Sequence, residues 1–109
     1  MDAALKALAE PRRRAILRLV WSQELAATDI ADRFRDVTRP AISQHLAVLR
    51  EANLVTERRD GTRRIYRANP QTMAELRAFL DDYWTSGLER LRDVAKAEED
   101  RKHKTKGQR

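Results

Sequence analysis

The chain has 109 residues, enough for one modest hydrophobic core but too few for a separate catalytic domain. A formal net charge of +6 and a pI near 10.3 favour polyanionic partners, and the lack of cysteine removes both a disulfide framework and a thiolate metal site. No apolar run approaches the roughly 18 residues of a membrane span, and Met1-Asp2-Ala3-Ala4 does not begin a signal peptide, so a cytoplasmic protein without a membrane partner is expected.

Ala4, Leu5 and Leu8 lie at helical spacing in a short first helix over 3–8, which Glu10-Pro11 breaks because the residue before proline is pushed out of the α region. Pro11 suits the first turn of a second helix, running to about Trp21, with Ile16, Leu17, Val20 and Trp21 as its apolar stripe. Ser22-Gln23 makes a turn, and Thr28 or Asp29 can cap a third helix carrying Ile30, Ala31 and Phe34. After a second turn at Arg35, Asp36 and Val37, Thr38 can accept hydrogen bonds from the open amides of a fourth helix, in whose first turn Pro40 is tolerated. Ile42, Leu46 and Leu49 then fall at i, i+4 and i+7 and turn one face inward, which leaves Arg39, Ser43, Gln44 and His45 opposite. An apolar stripe of this kind implies only core packing. The polar face is the distinctive part, because it opens with small hydrogen-bonding residues and not with a solvated Glu/Lys mixture.

Ala52-Asn53 ends the fourth helix, with Asn53 suited to a left-handed cap. Residues 54–59 and 63–68 are β-prone and flank Asp60-Gly61-Thr62, a hairpin signal because glycine accepts the positive φ of a tight turn. Residues 58–67 hold five arginines against one aspartate. Asn69-Pro70 opens a long helix to about residue 97, in which Met73, Leu76, Leu80, Tyr83, Trp84, Leu88 and Leu91 recur every three or four residues. Gly87 weakens this helix by about 1 kcal/mol relative to alanine but permits close approach of another helix. From Glu98 the composition turns charged and polar, which predicts a disordered basic tail over 98–109.

The predicted fold is mainly α with a small β-hairpin, in the order α-α-α-α-β-β-α: a winged helix-turn-helix DNA-binding and dimerisation domain over 1–97, followed by the tail. A helix thin enough for the major groove, beside an Arg-bearing hairpin, supplies base-edge reach and phosphate neutralisation, the two requirements of duplex binding. Thr38 caps the fourth helix and can also meet a phosphate at its positive end. Arg39 reaches either a phosphate or the O6/N7 edge of guanine, a contact worth about 1 to 3 kcal/mol of discrimination. Ser43 and Gln44 sit one turn on, where Gln44 suits adenine; Pro40 and Ala41 allow close approach, Ala41 with room for a thymine methyl. His45 has two readings of equal weight, a phosphate contact or a hydrogen bond to the neighbouring scaffold. On the hairpin Arg63 and Arg64 alternate faces, so one of them accompanies Arg59 toward DNA. Arg12, Arg13 and Arg14 either extend the phosphate footprint or form a solvated helix face, and Lys102, Lys104, Lys106 and Arg109 add nonspecific attraction.

Thr38-Arg39-Pro40-Ala41-Ile42-Ser43-Gln44-His45-Leu46-Ala47-Val48-Leu49-Arg50-Glu51-Ala52-Asn53-Leu54-Val55 resembles the recognition helix and following strand of ArsR/SmtB-type bacterial repressors. Ala7-Leu8-Ala9-Glu10-Pro11-Arg12-Arg13 resembles the family's first helical junction and Gly61-Thr62-Arg63-Arg64-Ile65-Tyr66 its wing. Asp82-Tyr83-Trp84 with Leu88 resembles the last helix of a metal-independent, autorepressor-like branch. The resemblance spans about residues 3 to 95. It implies a homodimer on a two-fold operator, associated with the bacterial nucleoid, in which first and last helices of two subunits pack together through Leu5, Leu8, Leu80, Tyr83, Trp84, Leu88 and Leu91. An apolar stripe too long for so small a monomer to cover points the same way. The stretch Glu24-Leu25-Ala26-Ala27-Thr28-Asp29 offers no sulfur ligand and the last helix no histidine, so neither a regulatory metal nor any cofactor is expected.

Two other readings compete. A winged helix can serve as a protein-interaction module, against which the polar helix face and the wing arginines speak. A regulator of this family can also be released by a small effector or a metal that the sequence does not identify. An enzyme is the poorest reading: there are three glycines, no phosphate-cradling loop and no Ser/His/Asp spacing, and Ser43 and His45, two residues apart on a helix, point to different faces.

Overall fold

A computed structural model describes the backbone of residues 1–107 and the side chains of residues 1–102. Among these the elements run α1 (Asp2–Leu8), α2 (Pro11–Leu19), β1 (Leu25–Ala26), α3 (Ala27–Asp32), α4 (Arg39–Glu51), β2 (Val55–Asp60), β3 (Arg63–Ala68) and α5 (Pro70–Gly107). This is the winged helix-turn-helix expected from the sequence, with one strand added. Leu25 and Ala26 pair antiparallel with Tyr66 and Ile65, so the hairpin is part of a three-stranded sheet ordered β1-β3-β2. A two-residue strand shows no alternation, and its only signature is its partner some forty residues away.

Met1–Leu76 forms one compact unit, and the rest of α5 from Arg77 forms a second. In the first unit α1 gives Ala4 and Ala7 to the core, α2 gives Ile16 and Leu17 with Val20 just past its end, α3 gives Ile30, α4 gives Ile42, Leu46 and Leu49, and the sheet gives Val55, Tyr66 and Ala68. The 3.6-residue repeat on α4 and the two-residue repeat on β2 and β3 therefore converge on one interior. The junctions are fixed by specific bonds. Glu10 accepts from the Arg13 amide and Pro11 occupies the first turn of α2. Thr38 accepts from the Ala41 amide at 3.2 Å, as its position before Arg39-Pro40 predicts.

α4 ends as the sequence suggests. Asn53 has φ of 60°, its amide donates to Arg50 O, and the Leu54 amide donates back to Leu49 O. This double bond pattern satisfies two terminal carbonyls and brings Leu54 onto Leu49, both fully buried. Gly61, with φ of 64°, turns the hairpin. Asn69 opens α5, its Oδ1 accepting from the Gln71 amide and its carbonyl from Met73.

Three expectations about element ends are corrected. α2 stops at Leu19, and Val20 leaves the helical region, so Trp21 loses its place in the apolar stripe and is 59% exposed. α3 begins at Ala27 with extended Ala26 as its cap, so Thr28 and Asp29 lie inside its first turn and neither caps it. α5 continues through Gly107 where a disordered tail was expected from Glu98, so the last helix does carry a histidine, His103, which the expected end at about residue 97 left outside it. Apart from Asp100, residues 95–102 are alanines and long charged side chains with high helix propensity, and Glu98 and Lys102 stand at the favourable i, i+4 spacing. Of the tail cations, Lys104, Lys106 and Arg109 lie outside the described side chains.

Candidate nucleic-acid interface

The exposed side of α4 and the tip of the hairpin both belong to the first unit. On α4 the burial of Ile42, Leu46 and Leu49 leaves Arg39, Pro40, Ser43 and Gln44 exposed and Ala41 half-buried. Thr38, exposed before them, is engaged by the cap, so its hydroxyl is already an acceptor within the protein. The helix therefore offers a guanidinium, a hydroxyl and a carboxamide on one solvent-facing strip over its first two turns.

His45 departs from that strip. It is half-buried, and its Nδ1 is enclosed with no hydrogen-bond partner among the described residues. The scaffold hydrogen bond considered for it is thus absent at Nδ1. With Nδ1 enclosed, Nε2 is the ring nitrogen left for a hydrogen bond to a partner.

The strand register sorts the wing arginines. Arg59 lies directly opposite Arg64, and Asp60 opposite Arg63, so Arg59 and Arg64 share one face while Arg63 belongs to the other. Of Arg58, Arg59, Arg63 and Arg64, only Arg59 has no ion pair among the described residues. Arg63 Nη2 donates to Asp29 Oδ2 at 2.9 Å. Arg58 holds Glu24 at 2.7 Å; this hydrogen bond keeps the Glu24 carboxyl below its ordinary value and pushes the Arg58 guanidinium up. Glu57, only 14% exposed, receives Arg50 of α4 at 2.6 Å and lies 3.7 Å from Arg64 Nε, tying the end of α4 to the wing. Beneath it, burial, with the Glu57 charge adding to it, pushes the Tyr66 hydroxyl up.

The arginines at the start of α2 serve the fold. Arg13 Nε donates to Ala7 O and Arg14 Nη1 to Leu8 O, each at 2.7 Å, and these bonds satisfy carbonyls at the end of α1. Arg12 makes a two-pronged pair with Asp36 at 2.5 and 3.1 Å and lies 5.1 Å over the Phe34 ring, fastening α2 to the turn before α4. The Arg12 hydrogen bond holds the Asp36 carboxyl below its ordinary value. Sequence reading missed these carboxylates; the signal for Asp29 and Asp32 was their three-residue spacing on one helix face. Asp32 in turn takes Arg39 Nη2 at 3.0 Å.

Of the residues grouped as an interface by resemblance, Leu5 is half-buried and Leu8 packs against the core of the first unit. In the second unit Leu80, Tyr83, Trp84, Leu88 and Leu91 are all exposed, Trp84 at 68%, and Tyr83 stacks on Phe79 with ring centroids 6.2 Å apart. A side chain added at Gly87 would meet nothing within 4 Å, so packing within the chain does not require the glycine. No helix among the described residues is long and apolar enough to cross a membrane.

A family model described as a helix-turn-helix domain matches residues 8–58. The chain is 47% identical over 87 residues to the HTH-type transcriptional regulator Rv2034 of Mycobacterium tuberculosis, covering 80% of each. Among solved structures it is similar to a possible transcriptional regulator for arsenical resistance, at 46% identity and a TM-score of 0.71, over 84% of this chain and 93% of that one. It is also similar, at 33% identity and a TM-score of 0.63 over 77% of each chain, to Mb0332 of Mycobacterium bovis, described as a homodimeric winged helix-turn-helix DNA-binding domain and a possible ArsR-family regulator.

Proposed function

The chain belongs to the ArsR family of winged helix-turn-helix transcriptional regulators, DNA-binding proteins and not enzymes, and on that premise we propose that it is a homodimeric repressor that covers a promoter. The observation that carries this reading is the solvent-facing strip of α4, where Arg39, Ser43 and Gln44 stand free of the core that Ile42, Leu46 and Leu49 fill. In the proposed complex α4 lies in the major groove. Gln44 reads a base edge and Arg39, at the entrance of the helix, meets a base edge and the adjoining phosphate; Ser43 and Thr38 approach the backbone, Pro40 and Ala41 let the helix sit close, and His45 donates from Nε2. The wing follows the adjoining phosphates through Arg59, which no carboxylate engages among the described residues, with Arg64 beside it, and through Arg63, which reaches them from the other face of the hairpin tip.

The second copy meets the exposed apolar face of α5, in keeping with the homodimer described for the Mycobacterium bovis relative. Leu80, Trp84, Leu91 and Val94 stand around Gly87 at alternating four- and three-residue spacings, a seam suited to another helix, and the missing side chain at Gly87 lets that helix come close. Two subunits would then offer two recognition helices to a two-fold operator. Repression in the bacterial cytoplasm would need no metal switch. Cysteine is absent, and no group of three or more potential ligands is gathered among the described residues.

Selection of bound genomic fragments by the full-length protein is expected to return one enriched two-fold site, bound equally with a chelator and with added divalent metals. Arg39→Gln and Gln44→Ala should each lower discrimination at one base position by about 1 to 3 kcal/mol. Recovery of no enriched site would sink the repressor reading, and release by a metal would sink its metal-independent part.

A further inference from the structure

Two of the cations assigned above to DNA are already occupied. Asp29 and Asp32 stand three residues apart on one face of α3; Asp29 holds Arg63 of the wing at 2.9 Å and Asp32 holds Arg39 of α4 at 3.0 Å. All four side chains are about half to two-thirds exposed, so these contacts are not needed to fill the core. A carboxylate offers a guanidinium the same planar pair of anionic oxygens that a phosphate offers. α3 thus presents an acidic ridge to the first residue of the recognition helix and to one side of the wing tip. Arg12–Asp36 is a different device, since Arg12 is also anchored over Phe34.

We propose that Asp29 and Asp32 are affinity-setting residues that act as internal phosphate surrogates, so that DNA is bound by exchange of carboxylate for phosphate at Arg63 and Arg39. This inference rests on the repressor reading. Exchange has a specific thermodynamic signature. Each phosphate neutralised by an arginine releases condensed cations from the duplex, but each carboxylate set free beside the DNA recaptures cation, so the net release is smaller than the number of arginine contacts implies. The ridge thereby weakens attachment to any duplex, where attraction to phosphate is the main source of affinity, and leaves base-edge contacts to decide where the protein stays.

The test is titration of the full-length protein, by fluorescence anisotropy, against its selected duplex and a scrambled duplex of equal length over a range of salt. Asp29→Asn and Asp32→Asn should each tighten binding to the scrambled duplex by roughly two- to fivefold, the range that an exposed ion pair converts to. Each should also steepen the dependence of log affinity on log salt by up to about 0.9. A double-substitution cycle makes the effect local. In an Arg63→Gln background Asp29→Asn should gain nothing, and likewise Asp32→Asn in Arg39→Gln. Unchanged affinity and slope, or an equal gain in both backgrounds, would overturn the proposal, the latter showing only general charge repulsion. A loss of operator affinity in the Asp variants would also overturn it, because the carboxylates would then be orienting their arginines. If the wild-type protein bound neither duplex, the repressor reading would fall with it; wild-type binding with unresponsive Asp variants would sink this inference alone.

Discussion

The two units of this chain handle apolar surface in opposite ways. From Met1 to Leu76 the large apolar side chains are mostly enclosed, with Ile16, Ile30, Leu49 and Leu54 at 0% exposure, while from Phe79 onward they stand in solvent along α5. The contrast follows from geometry. Four helices and a sheet can surround a common centre, whereas a single helix has no second layer against which to bury its stripe. The first unit's side chains therefore determine whether a subunit folds, and the second unit's apolar stripe is available for association.

Substitution in the two places separates these roles. Leu49→Ala removes a fully buried side chain that meets Leu54 at the end of α4, and should cost about 2 to 5 kcal/mol of stability in denaturant titrations. Trp84→Lys is expected to leave secondary structure intact and to weaken self-association by at least about 2 kcal/mol, roughly thirtyfold in the dimer dissociation constant, measured by sedimentation equilibrium. A monomeric wild type, or a Trp84→Lys protein that associates normally, would break the comparison by giving α5 another use.

The same contrast governs what could be read from the sequence. Short-range chemistry was legible: Thr38 before Arg39-Pro40, Asn53 after α4 and Gly61 at the hairpin tip each have one local conformation that suits them, and the structure shows it. The apolar repeats on α4 and α5 placed both helices, and on α4 also the core-facing side. Pairings between distant residues were not legible. β1 is defined by Tyr66 and Ile65, and Arg13 and Arg14 are spent on α1 carbonyls; neither partnership leaves a local pattern. For the candidate interface, exposure of Arg39, Ser43 and Gln44 followed from helical period, but the carboxylates facing Arg39 and Arg63 did not, because ion pairs across 7 and 34 residues depend on the finished fold. The end of α5 was misjudged for another reason. Charge density was read as disorder where alanines and paired charges sustain a helix.

A smaller effect sharpens the account of the first unit. Thr38→Ala removes the acceptor for the Ala41 amide at the start of α4 and should cost about 1 kcal/mol. Thr38→Asn, which restores a capping acceptor, should recover most of that loss in thermal melts. If the alanine variant melted with the wild type, the start of α4 would be held by its neighbours in the core and not by its cap.

The smallest effect comes from the outer ion pairs that fasten separate elements of this unit, Arg12–Asp36 across 24 residues and Arg58–Glu24 across 34. Their guanidinium hydrogen bonds hold the Asp36 and Glu24 carboxyls below the ordinary 3.8 and 4.5. In the unfolded chain these groups take up protons at the ordinary values, before the folded protein does. Their contribution is therefore present in full above the unfolded values and is lost as pH falls through the folded ones. The melting temperature should fall on acidification from about pH 5 to about pH 3, and fall less steeply in Asp36→Asn and Glu24→Gln. Because both pairs are open to solvent, added salt should bring the variant and wild-type curves together. Curves that stayed parallel at low salt would show that these pairs form without contributing to stability. The hold on the turn before α4 would then come from Phe34 and the core beneath it.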